Sequence, residues 1–434
     1  MEDEKKSRFY GGPMSALLLI SILFLAVLGA PLFAVIGGSA LINYWRAGID
    51  TQALVIEFYQ IGSKPMLDAL FLFAFTGCIL GHSHAPRRLL RLSNAFLGWM
   101  PGGLAVVAIV SCSFLTAFTG ASGITIVALG GLLLPAMLEK KYDRDFSLGV
   151  ITASGSLGLL FPPSLPVILY GVISNTKIDD LFLAGIIPGT LMVLALSGYA
   201  VWRGGSIATT RVKFSFTEIF RASWDAKLEL PLPFIVIGGI YSGIFAVSEA
   251  AVIAAAYVIV VEMFISREVG FRDFIKIARE SAILTGGILI ILGMALAATN
   301  YMIDAEMPAK MFELASPYMT SKFGFLITLN IFLLIVGCMI DIYAATVLVV
   351  PLIIPIAAAF GVNPVHLGII FLVNMGIGYI TPPVGLNLFI ANISFREPIF
   401  KLYRAALPFV FILLIVLAIV TYVPELSLFF LGGK

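Results

Sequence analysis

Gly155-Ser-Leu-Gly-Leu-Leu-Phe-Pro-Pro-Ser164 and Gly376-Ile-Gly-Tyr-Ile-Thr-Pro-Pro-Val-Gly385 are two apolar runs, each broken by glycines and closed by a proline pair. Pro162 and Pro163 lie 220 residues before Pro382 and Pro383. The same offset of 220 relates Gly158 to Gly378 and Pro135 to Pro355. The runs therefore belong to an internal repeat. A proline pair removes two amide donors and interrupts the helix, which frees carbonyl oxygens in the preceding turn. Against lipid such groups are not tolerated, so each break must line a cavity or bind something.

Lipid is the expected surroundings. Hydrophobic residues make up 60% of the 434 residues and charged ones 12%, with a mean hydropathy of +1.04. Soluble chains carry about a quarter charged residues. The net charge of +2 excludes a strongly basic nucleic-acid binder, and Cys78, Cys112 and Cys338 form neither a disulfide framework nor a metal cluster. The composition is that of a polytopic membrane protein.

Apolar stretches run over 14–36, 65–81, 95–118, 122–138, 147–172, 181–202, 230–247, 249–265, 281–299, 323–340, 342–360, 366–395 and 405–430. The first follows Lys5, Lys6 and Arg8 without a small-residue cleavage site, and reads as an anchor. Segments 1–13, 82–94, 139–146, 203–229, 266–280 and 396–404 hold 21 of the 27 Lys and Arg residues. Placed in the cytoplasm, they put the amino terminus inside and the carboxyl terminus outside. Because 82–94 and 139–146 are both basic, 95–138 must enter and return on one side. It is expected as a re-entrant hairpin with its tip at 119–123. The same logic makes 323–360 a hairpin from the outer side, with its tip at 341–344.

The order of features repeats with opposite orientation: span 65–81, hairpin 95–138, broken helix 147–172, span 181–202; then span 281–299, hairpin 323–360, broken helix 366–395, span 405–430. Four parts follow. Residues 1–64 form a leader, first span and external connector, and 65–202 the first repeat. Residues 203–280 form cytoplasmic connectors and scaffold helices, and 281–434 the second repeat. Inverted repeats with matching interrupted helices point to a secondary transporter whose site lies near the bilayer midplane. Freed carbonyls and half-helix carboxyl ends suit a hard cation, and half-helix amino ends suit an anionic group. The first tip offers hydroxyls and flexible backbone. The second offers Asp341 in an apolar run, where an ionisable group at the helix centre costs about 2.5–3.5 kcal/mol. Asp341 either serves a cation or caps a short helix.

Together 117–123, 155–171, 180–189, 337–355 and 376–385 resemble the large membrane subunit of tripartite ATP-independent periplasmic (TRAP) transporters, the DctM type. The resemblance covers most of 65–430. It implies an all-α, elevator-type, sodium-coupled importer in the bacterial inner membrane. Its expected companions are a small four-helix membrane subunit (DctQ type) and a periplasmic substrate-binding protein delivering an organic acid such as a C4-dicarboxylate. It implies no cofactor other than Na⁺ as coupling ion. One Na⁺ site would involve Thr119, Ser122, Gly123, Gly155, Gly158 and Pro162. The other would involve Gly337, Asp341, Gly378, Thr381 and Pro382. Substrate would sit between them, near Thr125, Ser156, Ser164, Gly385 and Asn387. Many relatives carry a more serine-rich first tip, whereas Ala121 and Gly123 interrupt the hydroxyls here, so ligation by side chains and by backbone both stay open.

Other readings compete. A stand-alone sodium–carboxylate symporter would use the same core. A channel would favour a continuous pore over hairpins from opposite faces. A membrane-embedded hydrolase would need His82, His84 or His366 beside a nucleophile, or a His-Glu-x-x-His helix, and the chain has neither pattern. No phosphate-binding Gly-x-x-x-x-Gly-Lys-Ser/Thr loop appears that would use ATP. Phe214, Phe216, Phe220 and Trp224 beside the basic residues of 203–229 suggest an interfacial anchor. Arg46 and Lys64 fall on the outer side, where a delivering protein would arrive.

Overall fold

The computed structural model of the chain describes residues 30–61, 66–204, 214–306 and 321–432, together with Ser21, Phe24 and Lys310. The leader, most of the 14–36 stretch, Lys64 and the middle of the 203–229 connector lie outside the described residues. Among the described residues the secondary structure is entirely helical.

Two helices, α1 (Leu32–Ala47) and α2 (Gln52–Ile61), precede the first repeat. That repeat opens with α3 (Met66–His82) and the amphipathic α4 (Ala85–Leu97). These two are bent by 75° to one another. The 82–94 segment, read as a basic connector, is therefore mostly helix, with Pro86 in its first turn where the missing amide costs nothing. The first hairpin follows as α5 (Gly103–Thr119) and α6 (Ser122–Glu139). It reverses at Gly120, whose φ of 61° is left-handed and closes the helix at little steric cost. The first broken helix is α7 (Arg144–Ser154), a 3₁₀ turn (Leu157–Leu160) and α8 (Leu165–Ser174). The long α9 (Ile178–Gly204) completes the unit.

The connector carries α10 (Phe216–Asp225), α11 (Pro231–Tyr241) and α12 (Val247–Ile259), the last running into a π-helical turn (Val260–Ile265). Helix α13 (Phe271–Asp304) takes the basic 271–280 stretch as its own first turns and continues into the second repeat. The second hairpin is α14 (Lys322–Met339) and α15 (Ile342–Ala359), reversing at Ile340 and Asp341, slightly before the expected tip. The second broken helix is α16 (Pro364–Gly378) and α17 (Leu386–Phe395), followed by α18 (Ile399–Tyr422) and the short α19 (Glu425–Leu428). Both proline pairs interrupt helix as expected, and both Pro–Pro bonds are cis.

Seven helices are long and apolar enough to cross a membrane, and up to nine spans result if each bent pair counts as one. Outward-facing Val252, Ile283, Ile331 and Phe411 give these helices an apolar exterior. Phe216, Phe220 and Trp224 on α10 are likewise exposed, and α10 packs on α4, which fits an interfacial anchor. Inside, one continuous core joins both repeats. A small satellite, Ala40, Tyr44, Leu54 and Ala297, ties α1 and α2 to α13, with the Tyr44 hydroxyl donating to the Ala297 carbonyl at 2.8 Å. The repeats interlock. The second half of each broken helix packs on the other repeat's hairpin, α8 on α15 and α17 on α6.

Candidate functional site

The two breaks meet at the repeat axis. The Ser156 hydroxyl donates to the Gly376 carbonyl at 2.9 Å, and these positions are themselves 220 apart. Contact between equivalent residues places the pseudo-two-fold beside this bond. Gly158 and Gly378 also play matching parts. A Cβ on Gly158 would lie 2.1 Å from the Ser113 carbonyl oxygen and 2.6 Å from the Ala117 nitrogen. A Cβ on Gly378 would lie 2.4 Å from the carbonyl carbon of Gly337, the 220-residue counterpart of Ala117. Each glycine lets its broken helix touch the outgoing arm of its own hairpin, backbone against backbone.

Around the first tip the threonine hydroxyls are internally committed. The Thr116 hydroxyl bridges to the Thr125 hydroxyl at 2.7 Å and donates to the Gly155 carbonyl at 2.9 Å. Thr119 receives the Ala121 amide at 3.4 Å, and Thr119, Ser122 and Thr125 are all buried. Gly123 faces Ile390 of α17. Ser164 turns its hydroxyl back onto the freed Leu159 carbonyl, just beyond Pro162 and Pro163. The structure thus brings Thr125, Gly155 and Ser156 to the centre. It gives Ser164 a bond within the break that competes with any role toward substrate.

Asn387 links the second repeat to the first. Its amide nitrogen donates to the Thr152 carbonyl at 3.2 Å, its backbone N–H donates to the Tyr379 carbonyl at 3.0 Å, and its side-chain oxygen is buried without a partner. A buried acceptor left unpaired is costly, so this oxygen offers a place for a donor. Gly385, with φ of 59°, donates its N–H to the Cys338 carbonyl at 3.0 Å, fastening the second break to its hairpin.

At the second tip Asp341 caps α15, one carboxylate oxygen accepting from the amides of Tyr343 at 2.8 Å and Ala344 at 3.0 Å. The Ile342 amide donates to the buried Tyr379 hydroxyl at 2.8 Å. Thr381 donates its hydroxyl to the Ile377 carbonyl at 2.8 Å, beside Pro382. Gly337, Asp341, Gly378 and Thr381 are therefore gathered in one region.

Tyr343 is the residue that sequence reading passed over. Its hydroxyl donates to the Gly120 carbonyl at 2.7 Å, so the second tip reaches directly to the first. Thr116 and Tyr379 were likewise missed. Thr116 lies one turn before Thr119 and so shares its face, and Tyr379 stands inside the second break motif. His366, expected at a membrane edge, is buried between Ser427 and the Thr421 carbonyl, each 3.2 Å away.

Interrupted helices and two hairpins converging on one buried centre define a secondary membrane transporter. The family model of the Tripartite ATP-independent periplasmic transporter, DctM component, matches residues 17–426, and the chain belongs to this family of transport permeases. It is 38% identical to the isethionate TRAP transporter permease protein DctMQ of Oleidesulfovibrio alaskensis, over 98% of this chain and 67% of that protein. It is 35% identical to the C4-dicarboxylate TRAP transporter large permease protein DctM of Pseudomonas aeruginosa, over 87% and 89%. It is 30% identical to the ectoine TRAP transporter large permease protein TeaC of Halomonas elongata, over 96% and 98%. In fold it resembles the YdaH transporter of Alcanivorax borkumensis, with a TM-score of 0.57 over 88% of each chain at 16% identity. Family membership makes this a multi-pass inner-membrane protein that works with a small membrane subunit and a periplasmic binding protein.

Proposed function

We propose that this permease imports a small organic acid, handed over by its periplasmic binding protein, and that an inward Na⁺ gradient drives the step. The observation that carries the reading is the convergence of both hairpin tips and both helix breaks on one buried centre. There α7 and α16 end, exposing carbonyl oxygens that suit Na⁺, and α8 and α17 begin, presenting positive half-helix ends that suit an anion. Sodium would load between each tip and its neighbouring break, organise the tips, and complete the substrate pocket near Ser156, Gly385 and Asn387. The core bearing both hairpins would then move as an elevator against a scaffold containing residues 14–36 and the helices α11 and α12.

The relatives named above carry isethionate, C4-dicarboxylates and ectoine by their names, which keeps the proposed substrate at the level of a small organic acid. Reconstitution into liposomes with the small subunit tests the proposal. Uptake should require both the binding protein and an inward Na⁺ gradient, and Asp341→Asn should lose most of the sodium activation. Uptake without the binding protein would favour the stand-alone symporter. Uptake indifferent to Na⁺ would remove the coupling ion.

A further inference from the structure

Away from the helix breaks, Arg88 on α4 is enclosed by carboxylates from three segments. Its guanidinium is hydrogen-bonded to Glu229, before α11, and to Glu268, before α13. Glu268 also accepts the His84 backbone amide at 2.8 Å, with the His84 ring nitrogen 3.3 Å away. The third carboxylate is Glu262, on the π-helical end of α12. It is 0% exposed, and neither of its oxygens has a hydrogen-bond partner. Arg88 Nη2 lies 3.6 Å from it, already engaged by the other two glutamates.

Three carboxylates against one guanidinium leave an excess of two negative charges. An ionised carboxylate buried with no hydrogen-bond donor is strongly disfavoured even after relaxation, whereas a neutral acid needs only an acceptor for its O–H. A carboxylate that can accept stands on the same nitrogen, since Arg88 Nη2 lies 3.3 Å from Glu268 Oε2 and 3.6 Å from Glu262 Oε1. We propose that Glu262 is a proton-binding site: it takes one proton from solvent, holds it as a carboxylic acid, and donates it in a hydrogen bond to the Glu268 carboxylate. Burial opposes the charge on Glu268, but its Arg88 hydrogen bonds outweigh that and hold it below the usual carboxylate range. Glu268 therefore stays an ionised acceptor. The charged groups facing Glu262 among the described residues are Arg88, Glu229 and Glu268. Tyr257, earlier on α12, gives its hydroxyl to the Leu228 carbonyl at 2.8 Å. The proton completes the joint that ties α4 to the end of α12 and to the segments before α11 and α13. This site is separate from the proposed Na⁺ sites and does not depend on them.

The sign follows from proton linkage. A group kept neutral in the folded protein binds more protons there than in the unfolded chain, so its stabilisation is present at low pH and lost as pH rises. The test is infrared difference spectroscopy on the full-length protein in lipid, with a thermal-unfolding series across pH. A protonated-carboxyl C=O band should be present at neutral pH in the wild type and absent in Glu262→Gln. That variant should fold, since its amide also donates to Glu268, and its stability should no longer fall on the alkaline side. A missing band in the wild type, a band shared equally by both proteins, or failure of Glu262→Gln to fold would each overturn the assignment.

Discussion

Gly158 and Gly378 show how strongly single atoms constrain this centre. Each stands where a methyl group would meet backbone of a neighbouring helix, within 2.1 Å at Gly158 and 2.4 Å at Gly378. Backbone cannot rotate aside as a side chain can, so the whole helix must move. Gly158→Ala and Gly378→Ala should each lower stability by about 1–3 kcal/mol or more, read as a fall in thermal midpoint. Gly198→Ala, at a helical glycine with nothing within 4 Å of the added atom, should instead be neutral or stabilising by roughly 0.4–1 kcal/mol. Tyr343 makes a second prediction. Its hydroxyl occupies the Gly120 carbonyl, an oxygen that a cation at the first tip would want. Removing a hydrogen bond of about 1 kcal/mol with Tyr343→Phe should tighten apparent Na⁺ affinity several-fold. Sodium titration of uptake measures it, and an unaltered titration in a sodium-dependent protein would show that this carbonyl is not a ligand.

Helix junctions away from the centre are held by charge. Glu397, between α17 and α18, receives hydrogen bonds from Arg144 at the start of α7 and from Lys401 on α18 at 3.0 Å. Lys401 also lies 3.6 Å from Asp145. Burial disfavours the charge on Glu397, but the Arg144 and Lys401 bonds prevail and hold its carboxyl below the usual range. A depressed acid stabilises the fold above the ordinary carboxylate range, and that contribution is lost as pH falls through its folded value. A pH series of thermal midpoints should therefore show Glu397→Gln less stable than wild type near neutrality, with the two curves converging in acid. Parallel curves would mean that the bridge contributes nothing through its charge. The tips themselves follow helix-end chemistry, with Gly120 left-handed after α5 and Asp341 capping α15. This is why the reversal points were legible to within a few residues. The basic 266–280 stretch was harder to read, because charge marks a membrane edge and α13 begins inside it, at Phe271.

For the molecule as a whole, charge asymmetry sets orientation, and orientation is open to direct measurement. Lys177, in the exposed turn between α8 and α9, and Lys227, in the exposed turn after α10, fall on opposite faces under the topology drawn from the basic segments. Cysteines placed there should react with an impermeant thiol reagent from outside and inside respectively. Labelling of both from one face would overturn the topology and the inverted relation of the repeats. The interlock of α8 on α15 and α17 on α6 makes the two repeats one body, so substitutions in one hairpin are expected to register at the other's break.

The membrane class, the two hairpins, the two interrupted helices and their spacing of 220 residues were all written in the chain. Proline, glycine and charge act locally, on the residue that bears them and its immediate turn. Which partners those turns acquire is a matter of long-range packing. Ser156 finding Gly376, Asn387 finding Thr152, Tyr343 crossing to Gly120 and Glu262 closing on the Arg88 cluster each join segments far apart in sequence. Only the folded arrangement of helices could bring them within bonding distance.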